Sequence, residues 1–507
     1  MNKKKTLWHR IGIAQACMAL AFVSQSYAIG QDTLGTKMSL DELKASPNKV
    51  SGASTGKSQI VITSAVNELK PLFKYAFWLK PLDLKPGSAY VSLSRALVIY
   101  HLVPEKTRRE WGTFQISHEE DPVSAKGIAE QLRPFEHAMV ELDISAERED
   151  VAWDHRIRDS KGVALYSFIM PEVQGVRDLA RLLRWRAVER MQMGDFGGAF
   201  KSIRSGFRLA NLVRSGETVI QQLVANAIET TMQEAALDAI QQPGCPSLYW
   251  ALAMVPHSSE SIGRSLQIEL STLSRILPVL ENPEQMIGDR EYWQSKWRDS
   301  LVELTSLDSS SNPQLGLSTI LALECASVTN ETRQKLIESG LNSKQVELMS
   351  PEQVVAINTQ REIQTSCDRI IRLIYLPTHQ SIPLADEDAE SSQRRLQQKR
   401  EISIATSVLG LLLPGFKQVQ IAEASRVANH NRLMTIEAIR LYAAQNNGQL
   451  PQSLEGLKPV PAFVDPFTNM PIRYKRSVEG GINTATLEID RPNYPEHLRQ
   501  LKLQIRK

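Results

Sequence analysis

From about residue 61 to residue 256, apolar residues recur every three or four positions, and that period predicts helices. Turn signals at Pro86-Gly87, Pro104, Pro122, Pro171 and Pro243-Gly244 divide the run. The clearest pair of helices spans 176–213. The first carries Leu179, Leu182, Leu183, Ala187 and Met191, Gly194-Asp195 turns the chain, and the second carries Phe196, Ala199, Ile203, Phe207 and Ala210. A long helix follows with Val219, Ile220, Leu223, Val224, Ala227 and Ile228 on one stripe. Residues 257–400 predict a second helical region. In it Ser350-Pro351-Glu352-Gln353 reads as a cap, a first-turn proline and the closing residue of a capping box. Residues 378–400 are polar and read as a linker or a solvated helix.

Beyond 401 the pattern changes. The apolar run Ile402–Phe416, about 15 residues long and containing Pro414, is shorter than the roughly 20 residues a bilayer requires. It precedes an amphipathic helix over 418–446 that ends at Asn446-Asn447-Gly448. Alternating segments at 471–477 and 484–489 flank Glu479-Gly480-Gly481 and predict a hairpin. The expected fold is therefore mostly α: helical hairpins, then a small C-terminal α+β module. The expected divisions are 1–28, 29–60 (a flexible lead-in), 61–256, 257–400 and 401–507, the last a separable module.

Residues 1–28 have the pattern of a cleavable secretory signal. Lys3, Lys4, Lys5 and Arg10 precede the apolar stretch 11–23, and Ser26-Tyr27-Ala28 places small residues where a signal peptidase cuts. Cleavage is expected between Ala28 and Ile29. Cys17 is a poor lipidation site, because Gln15 lies just upstream and the apolar run continues past it. The expected location is thus outside the cytoplasm, in the periplasm or beyond the cell, with no stable membrane insertion once the signal is removed.

Charge narrows the partners. The chain has 59 Lys and Arg against 56 Asp and Glu; four of the cations lie in 1–28, so 55 stand against 56 beyond it, a balance of −1. That balance excludes a broad nucleic-acid footprint and gives no support for binding anionic membranes. Cys245, Cys325 and Cys367 remain after cleavage. Their odd number leaves at least one thiol unpaired within the chain, and all three read as small buried hydrophobes.

The spacing of Ala187, Gly194, Phe196, Ala199 and Gly206 resembles one tetratricopeptide unit, in which small residues let two helices approach. No second copy follows 34 residues on, where Gly194 would map to Ile228. Two wider resemblances exist. Glu141-Leu142-Asp143, Trp153-Asp154, Leu179–Leu183, Gly206-Phe207, Gln242-Pro243-Gly244, Leu248–Leu252, Glu437–Tyr442 and Asp465–Thr468 resemble an uncharacterised family of exported helical proteins of planctomycete-type bacteria. That resemblance implies export and architecture but no chemistry. Tyr442, Gly448, Leu450-Pro451, Asp465-Pro466 and Tyr474 resemble the globular half of type II secretion pseudopilins, which implies a long helix leading into a small sheet.

No catalytic or cofactor motif stands. Residues 52–58 nearly match a phosphate-binding loop, but Ser51 occupies the position of the first glycine and a strand-like run follows where a helix should. Ser54-Thr55-Gly56-Lys57 has no Lys-Thr-Gly partner, and no His-Glu-x-x-His occurs. The most polar runs are His118–Asp121 and Trp153-Asp154-His155-Arg156; His137 and Glu141 lie one helical turn apart. Catalytic residues are therefore unknown, and no cofactor or metal ligand is assigned. The expected role is a non-enzymatic interaction or scaffold protein of the cell envelope with protein partners. The alternatives are an envelope enzyme whose site is assembled from distant residues, and a pseudopilin-like assembly subunit.

Overall fold

The computed structural model describes residues 59–65, 69–117, 123–153, 171–256, 260–306, 313–387, 403–412, 414–479, 482–490 and 499–506. Ala28, Ile29, residues 51–58, His118–Asp121, Asp154, His155 and Arg156 lie outside them. In chain order the elements are β1 (Gln59–Thr63), β2 (Lys85–Ser88), α1 (Tyr90–Leu102), α2 (Glu105–Ser117), α3 (Ala125–Leu132), α4 (Glu136–Ala146) and β3 (Arg148–Asp150). Then come α5 (Pro171–Gln192), α6 (Phe196–Arg214), α7 (Val219–Ala239), α8 (Tyr249–Ala253), α9 (Glu260–Ile276), α10 (Arg290–Ser306) and α11 (Pro313–Ala326). The chain continues through α12 (Asn330–Glu338), α13 (Ser343–Leu348), α14 (Pro351–Ile374), α15 (Ile404–Leu412) and α16 (Pro414–Gln445). It ends in β4 (Val464–Asp465), β5 (Met470–Pro471), β6 (Arg473–Glu479), β7 (Ile482–Glu488) and β8 (Gln500–Arg506). The fold is mostly helical with a small C-terminal sheet.

Two compact units divide these elements. The larger takes 59–153, 170–262 and 419–507; the smaller takes 263–418. The expected boundaries differ. The C-terminal strands do not stand alone, because β1 pairs in parallel with β8 at the edge of a four-stranded sheet of order β1-β8-β7-β6. Ile60 faces Leu503, Ile62 faces Ile505, and all four are buried. The sheet's apolar face needs this first strand, so residues 59 and 60 belong to the sheet and not to a lead-in.

In the larger unit α5, α6 and α7 pack on one another. Leu179, Leu182, Leu183 and Ala187 are buried on α5; Ala199, Ile203, Phe207 and Ala210 are buried on α6. The turn between these two helices uses Gly194 at φ +75° and Asp195, whose carboxylate caps α6 by accepting from Gly198 N. A Cβ at Gly194 would meet open space, so the turn conformation and not helix packing selects glycine there. The close approach is at Gly206, where a Cβ would collide with Met232 of α7. Thr218 and Gln221 form a reciprocal capping box at the start of α7.

The smaller unit is built on α10, α14 and α15. Trp293, Trp297, Ala356, Ile404, Ala405 and Val408 share one core. The apolar run after 401 is therefore buried against the preceding helices, on its 404–409 portion. Ser350 caps α14, as its spacing predicts, but the Gln353 amide donates to the carbonyls of Pro283 and Met286 instead of closing a capping box. Among the described residues no helix is long and apolar enough to cross a membrane.

Candidate functional site

Residues 423, 426, 430, 437 and 440 recur at helical spacing on α16, and a carboxylate, guanidinium or imidazole sits at each. Such a stripe ordinarily faces water. Here Glu423, Arg426, His430, Glu437 and Arg440 are all buried, because apolar residues such as Met434, Ile436, Ala438 and Ile439 cover the rest of the helix as well. From 423 to 440 the stripe is about 25 Å long at the α-helical rise.

Its first cluster joins α16 to α6 and α7. Arg426 Nη1 donates to Glu229 Oε1 at 2.6 Å, and its Nε donates to Glu423 Oε2 at 3.1 Å. Arg214 Nη2 reaches Glu229 Oε2 at 2.9 Å and Asn226 Oδ1 at 2.8 Å. Gln222 completes the arrangement by donating to the Arg214 and Gly216 carbonyls at the end of α6. Two acids balance two arginines, so the cluster carries no net charge. Burial pushes the Glu423 carboxyl up, but Arg426 and Arg214 beside it win, and it stays below the ordinary carboxylate range. Burial works against the Arg426 cation too, yet Glu229 and Glu423 raise its pKa.

A second cluster joins α16 to the chain before α8 and to the end of β1. Glu437 and Arg440 are each 0% exposed and pair at 2.5 Å. Glu437 Oε2 also accepts from Leu248 N at 2.7 Å and from Ser247 Oγ at 3.2 Å. Arg440 donates to three carbonyls: Thr63 at 2.8 Å, Cys245 at 3.0 Å and Pro246 at 3.4 Å. One guanidinium thus ties together three segments that lie far apart in sequence. The Cys245 thiol donates to Pro246 O beside it, and burial pushes it up to about 12. It is a packed thiol and not a nucleophile.

Other polar groups follow the same rule. Arg186 grips Asp143 with two bonds, at 2.8 and 3.1 Å, and Ser205 donates to the same carboxylate at 2.8 Å. Trp153 donates its indole N–H to Leu212 O at 2.9 Å and packs edge-on to Tyr90, which makes it a structural residue. His137 is exposed and Glu141 half-buried on α4, and no ion pair joins them. Next to α2 lies an open depression of about 690 Å³ bordered by Arg109, Thr113, Phe114 and Gln131. Its Arg109–Glu105 pair is solvent-exposed and contributes little. Among the described residues no three His, Cys, Asp or Glu side chains gather as metal ligands would.

Sequence reading identified none of these ionic clusters. Their signal was present as acid and base at 3- and 4-residue spacing within a helix that is apolar on its other sides. No family model, curated protein or solved structure matches this chain.

Proposed function

We propose that this chain is an exported, non-enzymatic scaffold or interaction protein of the cell envelope, cleaved between Ala28 and Ile29 and working through protein partners. The carrying observation is how the fold uses its buried charge. Arg214, Glu229, Glu423, Arg426, Glu437 and Arg440 are engaged with one another, with Asn226 or with backbone groups. Groups held this way fix helices in place; general acid–base work requires a group that can reach a substrate proton. The pattern of residues 1–28 and the resemblance to exported proteins of planctomycete-type bacteria support the envelope location. The helical hairpin at 171–214, with its tetratricopeptide-like small residues, supports a role in binding protein. The test is residue-resolved crosslinking in intact cells, followed by mass spectrometry of the envelope fraction. A chain beginning at Ile29 with reproducible links to the same partner supports the proposal. A chain that retains 1–28, or that shows intrachain links only, opposes it.

A further inference from the structure

Residues 69–84 form an almost aperiodic strap, with only the short 3-10 turn Pro81–Asp83 inside it. Aromatic packing fixes one side of the strap to α6. The Tyr75 and Phe200 rings lie 4.9 Å apart, those of Phe77 and Phe207 lie 5.6 Å apart, and the Arg208 guanidinium sits 4.9 Å from the Trp78 ring centre. The other side shows apolar groups to water: Leu72 is 40%, Phe73 49% and Leu82 98% exposed. Lys70, Lys74 and Lys80 flank them, all exposed and without an ion pair among the described residues. Lys74 lies over the Tyr75 ring, and Asp83 is the sole acid from 69 to 84.

We propose that this strap docks the protein peripherally on an anionic lipid surface, with Leu72, Phe73 and Leu82 entering the headgroup region and Lys70, Lys74 and Lys80 meeting lipid phosphates. Two features favour lipid over a protein partner. Leu82 projects almost wholly into solvent, so a rigid partner would need a dedicated pocket for it, whereas a bilayer interface deforms around it. The cations interleave with the apolar residues, as they do in segments that lie in the plane of a membrane surface. The whole-chain charge near zero conceals this local excess. Peripheral docking of this kind spans nothing and needs no apolar helix. It concerns a surface distinct from the buried ionic clusters and does not depend on the scaffold assignment.

The test is co-sedimentation of the full chain, purified after export and with its N-terminus read by mass spectrometry, so that any molecules retaining 1–28 are scored separately. The probes are phosphatidylcholine vesicles with and without phosphatidylglycerol. The parent chain is expected to sediment with the anionic vesicles and to be released by high salt. Lys70→Gln/Lys74→Gln/Lys80→Gln and Leu72→Ser/Phe73→Ser/Leu82→Ser are each expected to lower binding by about tenfold or more. Leu82→Ser alone, at a nearly fully exposed position, keeps the test valid should a triple variant fail to fold; it is expected to weaken binding measurably at an unchanged melting temperature. A parent chain that stays in the supernatant overturns the proposal, as do folded variants that bind like the parent. A photoreactive group at 82 that links only to protein in the native envelope overturns it in favour of a protein partner.

Discussion

Arg440→Met removes a buried cation that links α16, the chain before α8 and the end of β1. The substitution keeps an unbranched side chain of similar length, so little volume is lost. It leaves the Glu437 carboxylate at 0% exposure with Leu248 N and Ser247 Oγ as its remaining donors. It also strips the guanidinium donors from the carbonyls of Thr63, Cys245 and Pro246. Breaking a buried pair from one side costs about 3–5 kcal/mol, chiefly because an uncompensated charge stays behind. A chain with two compact units has no single unfolding free energy, so the readout should be local. Hydrogen exchange with mass spectrometry suits this. Amides of 59–65 and 245–249 are expected to exchange on the order of a hundredfold faster in the variant, while peptides from 290–301 and 351–374 stay at parent rates. The double variant Glu437→Gln/Arg440→Met is expected to be milder than the sum of its single changes by about 0.5–3 kcal/mol, because it leaves no bare charge. If Arg440→Met leaves 59–65 at parent protection, or if the two changes simply add, the pair does not hold these segments together and the reasoning is refuted.

Four further outcomes are expected. Gly206→Leu should loosen α6 and α7 through overpacking against Met232, at a local cost of about 1–3 kcal/mol read from hydrogen exchange of their amides. Gly194→Ala and Gly194→Leu should cost about the same as each other, roughly 1–2 kcal/mol, since the φ of +75° opposes both alike; hydrogen exchange across α5, α6 and α7 in the three variants separates the cases. Cys245 should resist a thiol reagent in the native state at pH 8 and react once the chain is denatured, because burial raises its pKa to about 12; rapid native labelling of Cys245 would contradict the burial argument. Glu423 has a folded pKa below its unfolded one, so its stabilising contribution is complete above the ordinary carboxylate value of about 4.3 and is lost as pH falls through the lower folded value. Exchange protection around 423–430 should therefore hold from neutral pH to about pH 5 and fall in more acid solution, and Arg426→Met, which leaves Arg214 beside Glu423, should weaken that dependence on acid.

Much of the helical layer was legible because its signals are local. The hairpin of α5 and α6 follows from Leu179, Leu183, Ala187, Ala199 and Ile203 at helical spacing around Gly194-Asp195. The strand pair β6 and β7 follows from alternation about Gly480-Gly481. The pairing of β1 with β8 was not legible, since nothing local says that residues 59–63 meet residues 502–506. The domain boundary expected at 401 fails for the same reason. The ionic stripe on α16 was hidden by a default assumption, namely that charged positions mark the wet face of a helix. Burial of Arg426 and Arg440 depends on α6, α7, β1 and the residues before α8 arriving from elsewhere in the chain. Gly194 was the converse case: its place in the turn was visible, but the packing role expected for it belongs to Gly206, whose partner Met232 lies on another helix.

The most direct test of the proposed role is crosslinking in the living envelope, read as linked peptides by mass spectrometry. The expected result is a chain whose first residue is Ile29, with reproducible links from the larger unit to one recurring protein. A chain that keeps residues 1–28, or one whose links are all internal, would contradict it.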